Sequence, residues 1–107
     1  MASKKIELIE IKRWLIAEFS YLRIIERVFL VGSILHKPRK EVNDIDIVQL
    51  LRECTKDDLI KHSEKVKIVR KMFLTDFGKS LHIVSFTQNE IVAFQKFMSL
   101  NEKIEII

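Results

Sequence analysis

Two apolar runs, each bounded by a polar signal, constrain this 107-residue chain most. Val28-Phe29-Leu30-Val31 stops at Gly32-Ser33, and ten residues further on Asp44-Ile45-Asp46 opens a second run that reaches Leu51. The chain has only two glycines, so a glycine at the end of a strand-like run is an informative signal. On a strand, side chains alternate with a period of two, so Asp44 and Asp46 face the same way. Like charges that close are costly unless something positive offsets them. Two carboxylates with phosphate oxygens are a common way of holding Mg²⁺, so a divalent cation is the expected partner.

The flanking sequence gives the remaining elements. Ser3 reads as the N-cap of a helix over 4–23, with Leu8, Ile11, Leu15, Phe19 and Leu22 at helical spacing. A strand over 27–31 follows, then a turn or one-turn helix over 33–40, broken at Pro38. The second strand covers 44–51. Thr55-Lys56-Asp57-Asp58 reads as a cap with an acid three residues on, opening a long helix that runs to about Phe77 and stops at Gly78. A strand over 81–86 comes next. Thr87-Gln88-Asn89-Glu90 is a capping box for a last helix, buried through Ile91, Phe94, Phe97 and Met98. The 104–107 tail reads as a short strand or a frayed end. The expected architecture is one α+β domain over 1–107, a small mixed β-sheet with helices packed on one face, in the order α-β-β-α-β-α.

The pattern of hydrophobic strand, Gly32-Ser33, ten residues and Asp44-x-Asp46 resembles the signature of the nucleotidyltransferase superfamily, the polymerase-beta-like fold, and especially its minimal single-domain members. The resemblance implies that Gly32 and Ser33 sit at the phosphates of a nucleoside triphosphate. It implies that Asp44 and Asp46 bind Mg²⁺ or Mn²⁺ and are catalytic. Elementary chemistry agrees: glycine lets the backbone approach a phosphate, and a hydroxyl beside free N–H groups favours an anion. The metal would stabilise in-line attack on the α-phosphate. Two positions depart from the family pattern. Lys37 stands where a small residue is usual, and His82 falls where a later strand usually supplies a third carboxylate. A histidine there can act as base or ligand but adds no negative charge; a hydrogen-bonded core or interface histidine is the alternative.

Composition narrows the function classes. With 48% hydrophobic and 32% charged residues the chain can bury a core and still dissolve. One cysteine, Cys54, excludes an internal disulfide and fits a reducing compartment. No apolar run is long enough to span a bilayer, so the expectation is a cytoplasmic protein without a membrane partner. No cluster has zinc-like spacing. His36 and His62 read as surface residues, and Trp14 and Tyr21 as packing or interface residues rather than base-stacking platforms. The formal charge of +4 suits phosphate-bearing partners. Lys37, Arg39 and Lys40 lie in the loop between the two motifs, where Lys37 and Arg39 would bind nucleotide. The alternative is a solvated loop.

Three readings follow. The first is an active enzyme passing a nucleoside monophosphate to a hydroxyl on protein, RNA or a small molecule. Minimal members of the family it resembles often act as antitoxins that adenylylate a toxin of the HEPN class. The second is a degenerate member that works by capping a protein partner, an immunity or antitoxin role. The third, least supported, is a nucleic-acid-binding module using the basic loop. A homodimer is compatible with the small size.

Overall fold

The computed structural model describes residues 4–20, 22–35 and 42–107. Three helices and four strands follow one another: α1 (Lys4–Phe19), β1 (Ile25–Val31), β2 (Asp44–Leu51), α2 (Lys56–Phe77), β3 (Ser80–Phe86), α3 (Ile91–Leu100) and β4 (Lys103–Glu105). One-turn 3-10 segments, Gly32–Leu35 and Gln88–Glu90, follow β1 and precede α3. The strands form one mixed sheet in the order β3-β2-β1-β4. β1 is antiparallel to both β2 and β4, and β2 is parallel to β3. The expected α+β class with a small mixed sheet is what the chain adopts.

Local chemistry sets most boundaries. Thr55 Oγ1 accepts from the Asp58 N–H, and Asp58 Oδ2 accepts from the Thr55 N–H, so the expected capping box opens α2. Gly78 ends α2 at φ 66°, its N–H donating to the Leu74 carbonyl. Thr87 and Glu90 also form a box, but it opens the 3-10 turn that leads into α3. α1 is shorter than the periodicity suggested. It ends at Phe19, and Leu22 packs on the core from a turn closed by Leu22 N–H to Phe19 O and Ile25 N–H to Leu22 O. The apolar spacing at Leu22 thus continues past the helix.

Both faces of the sheet are covered, which corrects the expectation of helices on one face. On the first face, α1 (Ile11, Leu15, Phe19) and α2 (Val69, Phe73) pack on Val28, Leu30, Ile45, Ile47, Leu51 and Leu81. On the second face, Phe94 and Met98 of α3 pack on Phe29, Val31, Val48 and Leu50. The reason is visible in β1 and β2. Each ends in a continuous buried run (residues 28–31 and 47–51), so even and odd positions both seek cover. Burying Phe94 and Met98 contributes about 1.5–3 kcal/mol each. The β4 tail is a strand, held to β1 by the ladder and by Arg27, whose guanidinium donates twice to Glu105 at 2.7 Å. That exposed pair is worth at most about 1 kcal/mol, so the ladder dominates.

Candidate functional site

The carboxylate pair sits where the second face runs beyond α3. β2 begins at Asp44 and presents Asp44, Asp46, Val48 and Leu50 to that face, with Val48 and Leu50 under α3 and the two acids outside it. The parallel register pairs Asp44 with Ser80 and Asp46 with His82. On the other side Asp46 pairs with Val31, the last residue of β1. The chain then turns at Gly32 with φ 84°, a conformation that favours glycine. A Cβ at Gly32 would lie 2.6 Å from Asp46 Oδ2, so this close approach needs a glycine for space as well. Ser33 follows, half-buried, in the 3-10 turn.

His82 stands against both acids. Its Nδ1 lies 3.4 Å from Asp46 Oδ1 and its Nε2 3.8 Å from Asp44 Oδ1. The three side chains are 56%, 39% and 51% exposed for Asp44, Asp46 and His82, so the cluster is open to solvent and to a ligand. Among the described residues, no three His, Cys, Asp or Glu side chains are grouped so as to hold a metal ion. A hard divalent ion here would take two carboxylates and complete its shell from a ligand's phosphate oxygens, a donor set that suits Mg²⁺. The sequence-derived residues Gly32, Ser33, Asp44, Asp46 and His82 therefore meet at one end of the sheet. Lys37 and Arg39 lie outside the described residues, as do Ser3, Tyr21, His36, Pro38 and Lys40.

One polar network was missed by sequence reasoning. His62 is not a surface residue. It is buried, and its Nε2 donates to Gln49 Oε1 at 2.8 Å, while Ser85 Oγ donates to the same oxygen at 3.3 Å. Burial pushes the His62 imidazole below its ordinary value. Gln49 is fully buried, and its Nε2 finds no hydrogen-bond partner among the described residues. The signal was present: in β2 the inward positions read Ile45, Ile47, Gln49, Leu51, and the one polar residue among them needs a partner on α2 or β3. Trp14 is a packing residue, edge-on to Phe73 and Phe77, with Nε1 donating to Asp76 at 2.7 Å. Cys54 lines a cleft of about 380 Å³ beside His62, beyond the last residue of β2.

Fold and site together define an α+β domain with a glycine turn, a paired-carboxylate strand end and an imidazole between the acids. No protein-family model matches the chain, and neither a curated protein nor a solved structure matches it. Among the described residues, no helix is long and apolar enough to cross a membrane.

Proposed function

We propose that this chain is a nucleotidyltransferase-like protein that binds a nucleoside triphosphate with Mg²⁺ or Mn²⁺ and transfers a nucleoside monophosphate to a hydroxyl of a protein or RNA. The observation that carries the reading is the close approach of Gly32 to Asp46, which brings the Gly-Ser turn and the two strand acids to one spot. Asp44 and Asp46 would hold the ion together with nucleotide phosphate oxygens. The ion would neutralise charge developing on the phosphates during displacement. Gly32 leaves room for the Asp46 carboxylate against the backbone, and the Ser33 hydroxyl would donate to a phosphate oxygen. An acceptor hydroxyl oxygen attacks the α-phosphorus, the bond to the bridging oxygen breaks, and pyrophosphate leaves. His82 takes the proton of the hydroxyl. The same proposal includes a cytoplasmic setting and a toxin or effector protein as acceptor.

A second reading has its own observation. The His82 ring lies against both carboxylates, and when protonated it offsets their charge without a metal. In that case the chain is a degenerate member of the fold that acts by capping a protein partner, an immunity or antitoxin role.

Calorimetric titration with Mg²⁺ and a non-hydrolysable ATP analogue separates the two. The expected result is metal-dependent nucleotide binding by the wild type and none by the Asp44→Asn/Asp46→Asn variant. A folded wild type that binds no nucleotide would leave the capping reading.

A further inference from the structure

We propose that the open edge of β3, together with the flank of α2 beside it, is a docking groove for an extended acidic segment of a partner protein. The inference does not depend on nucleotide binding: the cationic groove lies on the α2 face, and only the intervening side chains of a docked strand reach the face that carries Asp44, Asp46 and His82.

Three observations meet there. First, β3 is at the edge of the sheet and pairs only with β2 among the described strands. The Ser80 N–H donates to the Asn43 carbonyl of the chain leading into β2. Strand alternation therefore turns the main-chain groups of Leu81, Ile83 and Ser85 to the open side. Second, among the described residues the edge strand itself carries no protecting charge, proline or bulge. Its seven residues, Ser80–Phe86, include no Lys, Arg, Asp, Glu or Pro, and its pairing with β2 runs without a bulge. An edge of this kind accepts another strand. Third, one wall is cationic. A cleft of about 310 Å³ is lined by Lys67, Arg70, Lys71 and Leu74 of α2 and by Ser80 and Leu81 of β3, with no acid among these residues. None of the three cations has an ion-pair partner among the described residues.

The chemistry of the occupant follows from the strand period. A strand added to β3 places alternate side chains toward α2, where Lys67, Arg70 and Lys71 call for carboxylates. The intervening side chains fall beside exposed Val84 on the other face and are apolar. A second copy of this chain fits poorly. Two-fold pairing of β3 with β3 would set the two cationic walls on the same side of a continuous sheet, and like charges there repel.

The test is selection from a phage-displayed library of random peptides of about nine residues, slightly longer than a typical strand. The expected winners alternate Asp or Glu with apolar residues. They lose roughly tenfold or more in affinity against the exposed triple variant Lys67→Glu/Arg70→Glu/Lys71→Glu, and they slow amide exchange at Leu81, Ile83 and Ser85. Several results would overturn the proposal: no winners from a folded protein, basic or neutral winners, affinity indifferent to the charge reversal, or protection elsewhere. So would self-association that protects the β3 amides without peptide, or a single-stranded oligonucleotide that outcompetes the winners at the three cations.

Discussion

The backbone of Gly32 stands directly against the side chain of Asp46: a Cβ added there would lie 2.6 Å from Oδ2 and 3.4 Å from the Asp46 Cβ. The second glycine, Gly78, has a similar φ of 66° but open space around it. The pair separates backbone strain from close approach. Gly78→Ala is expected to cost about 1–2 kcal/mol through the left-handed conformation alone. Gly32→Ala is expected to cost more, because the Asp46 carboxylate must also move, and to weaken nucleotide binding. Urea unfolding and calorimetry read the two effects. Equal losses of stability for the two variants would mean that Asp46 yields freely and the contact imposes nothing.

Replacing His82 tests what stands between the acids. His82→Asp exchanges an imidazole for a third carboxylate opposite Asp46. Without metal the added like charge lowers the unfolding midpoint. On the nucleotidyltransferase reading, Mg²⁺ is expected to recover the loss, tighten nucleotide binding and raise transfer. A variant whose stability ignores Mg²⁺ would count against a metal site at these strands.

The pH dependence of stability has a definite sign at His62. Burial holds its folded-state pKa below the ordinary 6.5, so as pH falls the unfolded chain takes up the proton first. Stability is full above that value, declines as pH drops through it, and levels off once the folded-state imidazole also protonates. Asp58 and Glu90, held below their ordinary range first by backbone hydrogen bonds to Thr55 and Thr87, act in a more acidic window. His62→Gln is expected to flatten the unfolding free energy as pH falls through and below the ordinary 6.5 of the imidazole. An unchanged slope in that variant would assign the dependence to another group.

Much of the architecture is legible in the sequence, because most element ends carry local chemistry. Thr55 with Asp58 opens α2, Gly78 closes it, and the polar-to-apolar switch at Asp44 starts β2 at the residue expected. The misreadings concern tertiary choices. Leu22 keeps helical spacing but packs from a turn, since the apolar pattern records which side is inward and not where the helix stops. The cover by α3 of the second face was implied by the unbroken runs in β1 and β2, but such runs do not name the helix that supplies it. At the candidate site, same-face placement of Asp44 and Asp46 follows from the period of two alone. The place of His82 beside them depends on the pairing of β2 with β3, a long-range register that no local signal specifies. His62 misled for a related reason: an isolated histidine on a charged helix reads as solvated until Gln49 is found beneath it.

That register has a consequence for how the chain can vary. β2 and β3 are joined by α2, a helix of 22 residues packed on the opposite face of the sheet from the acids. Its length acts as the gauge that sets His82 level with Asp46. A slip of one residue in β3 would turn its whole pattern over, sending His82 to the core side and Ile83 to solvent. A slip of two would keep the faces but bring Ser80 or Val84 level with Asp46 instead. Insertions and deletions within α2 that shift β3 should therefore part His82 from the two acids although none of the three residues has been substituted.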